Sequence, residues 1–206
     1  MFALVESGSI TKYFNGNKGV TIGDIQHPKQ IFTIWTEAER NAIGVYAVEI
    51  DESKKKDEKW YINTNITYAF DGSKVTGSYG DAFAKEHADT KWTQSEIDAG
   101  KAPEGADTNT IKEEGLKTVL IRQVKSQAQN ELNKTDWYIT RKTEKDTAIP
   151  SAITTHRDAV RTKQAEMETA ITNASDTPAL ETLYTYTIQE DGTSTRPLGE
   201  LPTLED

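Results

Sequence analysis

The stretch Thr135-Asp136-Trp137-Tyr138-Ile139-Thr140-Arg141, followed by Thr147-Ala148-Ile149-Pro150, lies between two helical patterns and decides how the second half of the chain reads. Upstream, Leu116, Leu120, Val124, Ala128 and Leu132 recur every four positions, and Val119 and Ile121 widen the stripe. That spacing predicts an amphipathic helix over 111–132. Downstream, Pro150 can open a helix without losing a needed amide, Ser151 or Thr147 can help cap it, and a helical run covers 151–175. Ile153, Val160, Met167 and Ala174 fall seven residues apart, with Arg157, Gln164 and Ile171 at the intermediate positions. Such a heptad supports one shared seam but is too polar for a self-sufficient coiled coil. Residues 176–178 restart a short helix over 179–184. The expectation is an antiparallel helical hairpin with an added short helix, Trp137 and Tyr138 plugging its corner. Association of the long helices about a twofold or threefold axis is the other arrangement this pattern allows.

Outward from these helices the character changes. Residues 1–84 read as a small antiparallel β-rich domain, so the fold class expected for the whole is α+β. Phe2 to Val5 and Ile10 to Phe14 flank Glu6-Ser7-Gly8-Ser9, a hairpin signal because glycine supplies the positive φ of a tight turn. Residues 15–23, with three glycines and two asparagines, read as a loop. Thr36 and Glu39 have the spacing of a reciprocal capping box for a short helix ending at Gly44, and 45–50 alternates as a strand. Residues 60–70 and 74–83 read as a second hairpin around Asp71-Gly72, with Trp60, Ile62, Tyr68 and Phe70 on one face and Tyr61, Asn63, Asn65 and Thr67 on the other. Residues 85–109 read as a connector in which Trp92 either anchors on the first domain or touches a neighbour. Thr93 to Asp98 can form a helical turn or two. Residues 110–186 form the helical domain, and 187–206 read as an exposed acidic tail that orders on a partner.

Composition narrows the function. Of 206 residues, 35% are hydrophobic and 28% charged, which is meagre for a single compact core and points to small units that complete their burial against other chains. A net charge of −9 argues against a nucleic-acid partner, which requires clustered Lys and Arg. The basic run Lys54-Lys55-Lys56 is flanked by Asp51, Glu52, Asp57 and Glu58 and reads as a solvated turn. With no cysteine there is neither a disulfide framework nor a thiolate metal site. No apolar run reaches the roughly 20 residues that span a bilayer, so membrane insertion is not expected. The first residues lack the basic and apolar regions of a signal peptide, and the expected product is soluble and made in a reducing cytoplasm.

Patterns of catalytic chemistry do not emerge. His27, His87 and His156 stand in none of the HxH, HxxxH or HExxH arrangements, and His156 reads as a half-exposed helix residue. Gly16, Gly19 and Gly23 lack P-loop spacing, and no G-x-S-x-G elbow occurs. Carboxylate pairs such as Asp71 and Asp81 arise by chance among 33 acidic residues. Without a secretory signal the sequons at Asn65, Asn133 and Asn173 carry little meaning. No enzyme activity, metal or cofactor is expected. Aromatic and apolar residues suited to an interface are Tyr61, Trp137, Tyr138, Val160, Met167 and Ile171, because large rigid side chains dominate interface energetics.

Asp136-Trp137-Tyr138-Ile139-Thr140-Arg141, Ala148-Ile149-Pro150, His156-Arg157-Asp158-Ala159-Val160-Arg161 and Glu168 together resemble a module of bacteriophage tail proteins. The pattern, roughly DWY-x-x-R, IP, R-x-A-V-R and a trailing glutamate, is similar to the C-terminal part of tail-fibre assembly proteins, tail assembly chaperones and small tail-associated virion proteins. Phe2-Ala3-Leu4-Val5-Glu6 with Ile10-Thr11-Lys12-Tyr13 also resembles the start of such proteins. The likeness covers about 50 residues strongly and some 15 weakly. His156 stands where the pattern usually has tyrosine. The resemblance implies a structural or adaptor protein of a phage tail, a peripheral baseplate or fibre-attachment component, or alternatively an assembly chaperone absent from the mature virion. It implies other tail proteins as partners, a possible homo-oligomer, and assembly in the host cytoplasm. It carries over no catalytic residue.

Overall fold

A computed structural model describes residues 1–204 and shows an α+β architecture, β-rich first and helical second. The chain forms two compact units that divide between Phe83 and Ala84.

In the first unit, β1 (Phe2–Glu6) and β2 (Ser9–Phe14) form the expected hairpin, and both turn residues, Ser7 (φ 51°) and Gly8 (φ 78°), adopt the left-handed conformation that matches strand twist. A second hairpin, β3 (Val20–Ile22) with β4 (Ile25–His27), occupies part of the stretch expected as a loop. Pro28 then opens a 3₁₀ turn, Lys29–Phe32, that delivers Ile31 and Phe32 to the core beside Leu4, Phe14 and Val45. The capping box starts α1 (Glu37–Ala42): Glu39 N donates to Thr36 Oγ1 (3.3 Å) and Thr36 N to Glu39 Oε2 (2.7 Å). Gly44 follows at φ +77°, and a Cβ there would lie 2.7 Å from the Val5 carbonyl oxygen, so only glycine fits.

The main sheet runs β2-β1-β5-β8-β7, with β5 (Val45–Asp51), β7 (Thr67–Phe70) and β8 (Val75–Ser78). Its pairings are antiparallel apart from β5 with β8, which run parallel, Val48 opposite Val75. The sheet curls until Tyr13 of β2 and Tyr68 of β7 bring their rings within 5.1 Å. The alternation expected over 60–70 breaks at its start. Trp60 and Tyr61 are both buried, whereas Ile62 is 57% exposed. The amides of Trp60 and Tyr61 both bond to Asp57 O at 3.0 Å, and this turn directs neighbouring side chains inward where a strand would separate them. Only β6 (Tyr61–Ile62) and β7 are strands there, and the short β9 (Phe83–Ala84) closes the region in sequence.

In the second unit, 85–109 is folded and not a free connector. Strand β10 (Thr90–Lys91) pairs with β11 (Ile111–Glu113), and Thr93 with Glu96 forms a second capping box for α2 (Gln94–Asp98). Trp92 is half-buried with Lys112 Nζ 5.1 Å from its ring, a packing partner inside this unit. The residues before β10 satisfy the first amides of α3 (Leu116–Asn133), which no helical carbonyl can reach. Leu116 N and Lys117 N donate to Glu86 O and His87 O (both 3.0 Å), and Gly115 N donates to Asp89 Oδ1 (2.7 Å). A Cβ on Gly115 would stand 2.3 Å from the Ala88 carbonyl carbon.

Helix α3 runs antiparallel to α5 (Ser151–Asn173): Arg157 reaches Leu132 O at one end and Lys117 Nζ reaches Thr172 O at the other (both 2.8 Å). The four-residue stripe Leu120, Val124, Ala128 and Leu132 is buried, as are Ile153, Val160, Met167 and Ile171 of α5. Between them lies α4 (Asp136–Lys145), so the hairpin turns through a third helix. Helix α6 (Thr177–Tyr184) is capped by Asp176, whose Oδ1 accepts from Ala179 N (2.8 Å). Beyond it the expected extended tail is ordered. Strands β12 (Thr187–Ile188) and β13 (Ser194–Thr195) pair, Leu198 is 2% exposed, and Leu201 packs on Ala128, Leu132 and Val160. Residues 205–206 of that tail lie outside the described residues.

Candidate partner interface

The corner between α3, α4 and α5 is built from polar residues. Thr135 is fully buried, and its amide and hydroxyl both donate to Leu132 O (3.0 and 2.9 Å), closing the end of α3. Arg157, 8% exposed, donates from Nη1 to Leu132 O (2.8 Å), Thr135 Oγ1 (2.7 Å) and Asp136 Oδ1 (2.9 Å). Asp136 is the first residue of α4, where a carboxylate also opposes the positive end of the helix dipole. One guanidinium thus ties the end of one helix to the start of the next.

A second polar node lies alongside. Glu131 is buried and accepts from Lys134 Nζ (2.5 Å) and from Leu204 N (3.3 Å). The Lys134 bond, helped by the Leu204 amide, holds its carboxyl below the usual glutamate range against the opposing effect of burial. His156 corrects the expectation of a half-exposed residue. It is 9% exposed, because its face of α5 turns toward Glu131 of α3, and Nε2 stands 3.6 Å from Glu131 Oε1 with no hydrogen-bond partner among the described residues.

This geometry redistributes the six residues expected at an interface. Val160, Met167 and Ile171 are buried in the second unit, Val160 against Ala128, Leu132 and Leu201. Tyr61 is buried in the first, with Lys56 Nζ 4.3 Å from its ring. The chain's own residues cover these four side chains. Trp137 and Tyr138 do not plug the corner, which Thr135 and Arg157 fill. They project from α4, Trp137 being 51% exposed and Tyr138 half-buried.

The two rings lie 3.8 Å apart between centroids at 32°, and Arg141, one turn on, places Cζ 4.7 Å from the Trp137 ring and 5.2 Å from the Tyr138 ring. Stacking of a guanidinium on aromatic faces restricts all three side chains. Ile139 is exposed beside them. The result is a preordered aromatic and cationic patch of the residue types that anchor protein interfaces. Arg141 stands in the quoted DWY-x-x-R pattern, and its spacing of four from Trp137 is the signal that places it on the same helix face. Arg157 was legible only as a charge on the apolar line of the heptad, and nothing local in the sequence marks Glu131.

A shallow open groove of about 690 Å³ also runs along α5 between Leu132, Gln164, Ala165, Glu168 and Thr172. Its lining mixes polar and apolar side chains, with Arg161 and Glu168 supplying one charge of each sign. No cluster of three or more His, Asp or Glu suited to a metal occurs among the described residues, and no helix there is long and apolar enough to cross a membrane. Comparison with protein families, with curated proteins and with solved structures finds no match for this chain.

Proposed function

We propose that this chain is a structural or adaptor protein of a bacteriophage tail, a peripheral baseplate or fibre-attachment component that acts by protein–protein interaction. The observation that carries the proposal is the way the residues of the phage-tail pattern are used. Asp136 and Arg157 build the corner, Val160 packs in the seam beside it, and the corner presents Trp137, Tyr138 and Arg141 on α4. The proposed docking surface is therefore the α4 patch, and the α3–α5 seam is interior. Each unit has its own buried residues, which supports a permanent component with two faces, engaging other tail proteins in a particle assembled in the host cytoplasm. Nucleic acid has no part in this reading.

Mass spectrometry of purified particles from a host carrying the gene tests it. The adaptor reading expects the chain at fixed stoichiometry in mature tails. Absence from particles whose assembly nonetheless requires the gene would replace it with the assembly-chaperone reading. Trp137→Ala, with an unchanged helical spectrum, is expected to abolish incorporation.

A further inference from the structure

The stripe shared by α3 and α5 ends at Ala128, Leu132 and Val160, and Leu201 lies on that end. Leu201 belongs to 198–204, a stretch without helix or strand. Its upper end is fixed by burial of Leu198 and by the bond from Leu198 N to Leu183 O (3.0 Å). Its lower end is fixed by the long bond from Leu204 N to Glu131 Oε1 (3.3 Å). Between these points, no main-chain hydrogen bond joins the stretch to α3 or α5 among the described residues. The Glu200 carboxylate accepts from Arg196 and from Tyr186 OH, which ties it to the preceding hairpin region and not to the helices. Segments with few buried contacts and few main-chain bonds open at lower free energy than the helices they cover.

We propose that residues 198–204 are a releasable strap. It covers the end of the α3–α5 seam, pivots at Leu198, latches on Glu131, and lifts as a unit while both helices stay intact. Lifting uncovers Ala128, Leu132 and Val160 without unfolding anything else. The inference is independent of the phage-tail reading, because it concerns only contacts within the second unit.

Residue-resolved amide hydrogen exchange on the full chain tests it. Leu204 reports the strap, Leu198 its pivot, and Val124 and Ala128 report α3. In the wild-type chain the strap amides are expected to be protected relative to an unfolded chain, yet to exchange at least ~100-fold faster than Val124 and Ala128. Leu201→Ser is expected to speed the strap amides about tenfold, in keeping with loss of a partly buried leucine, and to leave Val124 unchanged. Glu131→Ala is expected to release the Leu204 amide while Leu198 keeps its protection. Two results overturn the proposal. Strap amides with no protection mean that no closed state exists. Strap and helix amides exchanging at one rate mean that the segment is an integral part of the core. Should Leu201→Ser fail to fold, the wild-type rates alone decide.

Discussion

Replacing Arg157 by alanine tests the corner directly. The wild-type guanidinium makes three hydrogen bonds of 2.7–2.9 Å from one nitrogen, at a residue 8% exposed. Hydrogen bonds involving a charged group contribute about 1.5–3 kcal/mol each in general, but the three do not add here. Leu132 O keeps its two donors from Thr135, and the Asp136 side chain, half in water, rehydrates. Thr135 Oγ1 loses the Arg157 donor. One strong charged bond and the packing of the arginine stem therefore set the loss, about 3 kcal/mol. Urea unfolding followed by far-UV circular dichroism reads it, because all the long helices belong to the second unit. With a slope of about 2 kcal/mol per molar urea, the helical midpoint should fall by about 1.5 M. A midpoint within about 0.2 M of wild type would falsify the assignment of the corner to Arg157. Arg157→Met separates the two contributions. If it matches wild type, the stem and not the guanidinium supports the corner.

Trp137→Ala removes a half-exposed ring and should cost no more than about 1 kcal/mol by urea unfolding, so a larger loss would show the ring to be structural. Gly115→Ala drives a methyl into the Ala88 backbone and should destabilise the second unit by more than about 2 kcal/mol; an unchanged melting temperature would contradict that contact. Glu96 is held at about 2 chiefly by the Lys112 hydrogen bond, with the Thr93 cap adding to it. Since that lies below its ordinary 4.5, its contribution is full above pH 4.5 and is lost as the pH falls toward 2. A carboxyl NMR titration should show the low midpoint, and a midpoint at the ordinary value would remove the Lys112 pairing. Thr36→Ala should lower stability by about 1 kcal/mol through loss of the α1 cap, read as faster amide exchange over α1 than over β1.

Features that depend on a few neighbouring residues were legible. The Ser7-Gly8 turn, the Thr36–Glu39 capping box, Gly44 as a helix stop, and the stripe from Leu120 to Leu132 each follow from local geometry, and the α+β order follows from the change of period. Features that depend on distant partners were not. The parallel pairing of β5 with β8 has no local signature, because side-chain periodicity reports which face is buried and not which strand lies alongside. The capping of α3 by Asp89 joins residues 26 apart in sequence, which no helix-start pattern spans. The polar heptad of α5 shows the limit most clearly. Its thin stripe suggests that another chain must complete it, whereas Arg157 pairs at the corner and Leu201 covers the end. Trp137 and Tyr138 are of the types common at interfaces, but their exposure depends on α4 being a separate helix. Val160, Met167 and Ile171 share that apolar character and are interior, so residue type alone could not sort the two groups.

The strap also has a consequence for synthesis. Ribosomes add about 5–20 residues per second. Leu198 is made 25 residues after Asn173, where α5 ends, so the helical pair precedes its cover by about 1–5 s. Once the helical pair has left the ribosome, the end of the seam, at Ala128, Leu132 and Val160, lacks its cover until 198–204 follow. Translation pauses between codons 174 and 198 lengthen that interval, so coding changes that preserve every amino acid are expected to alter the yield of correctly folded chain.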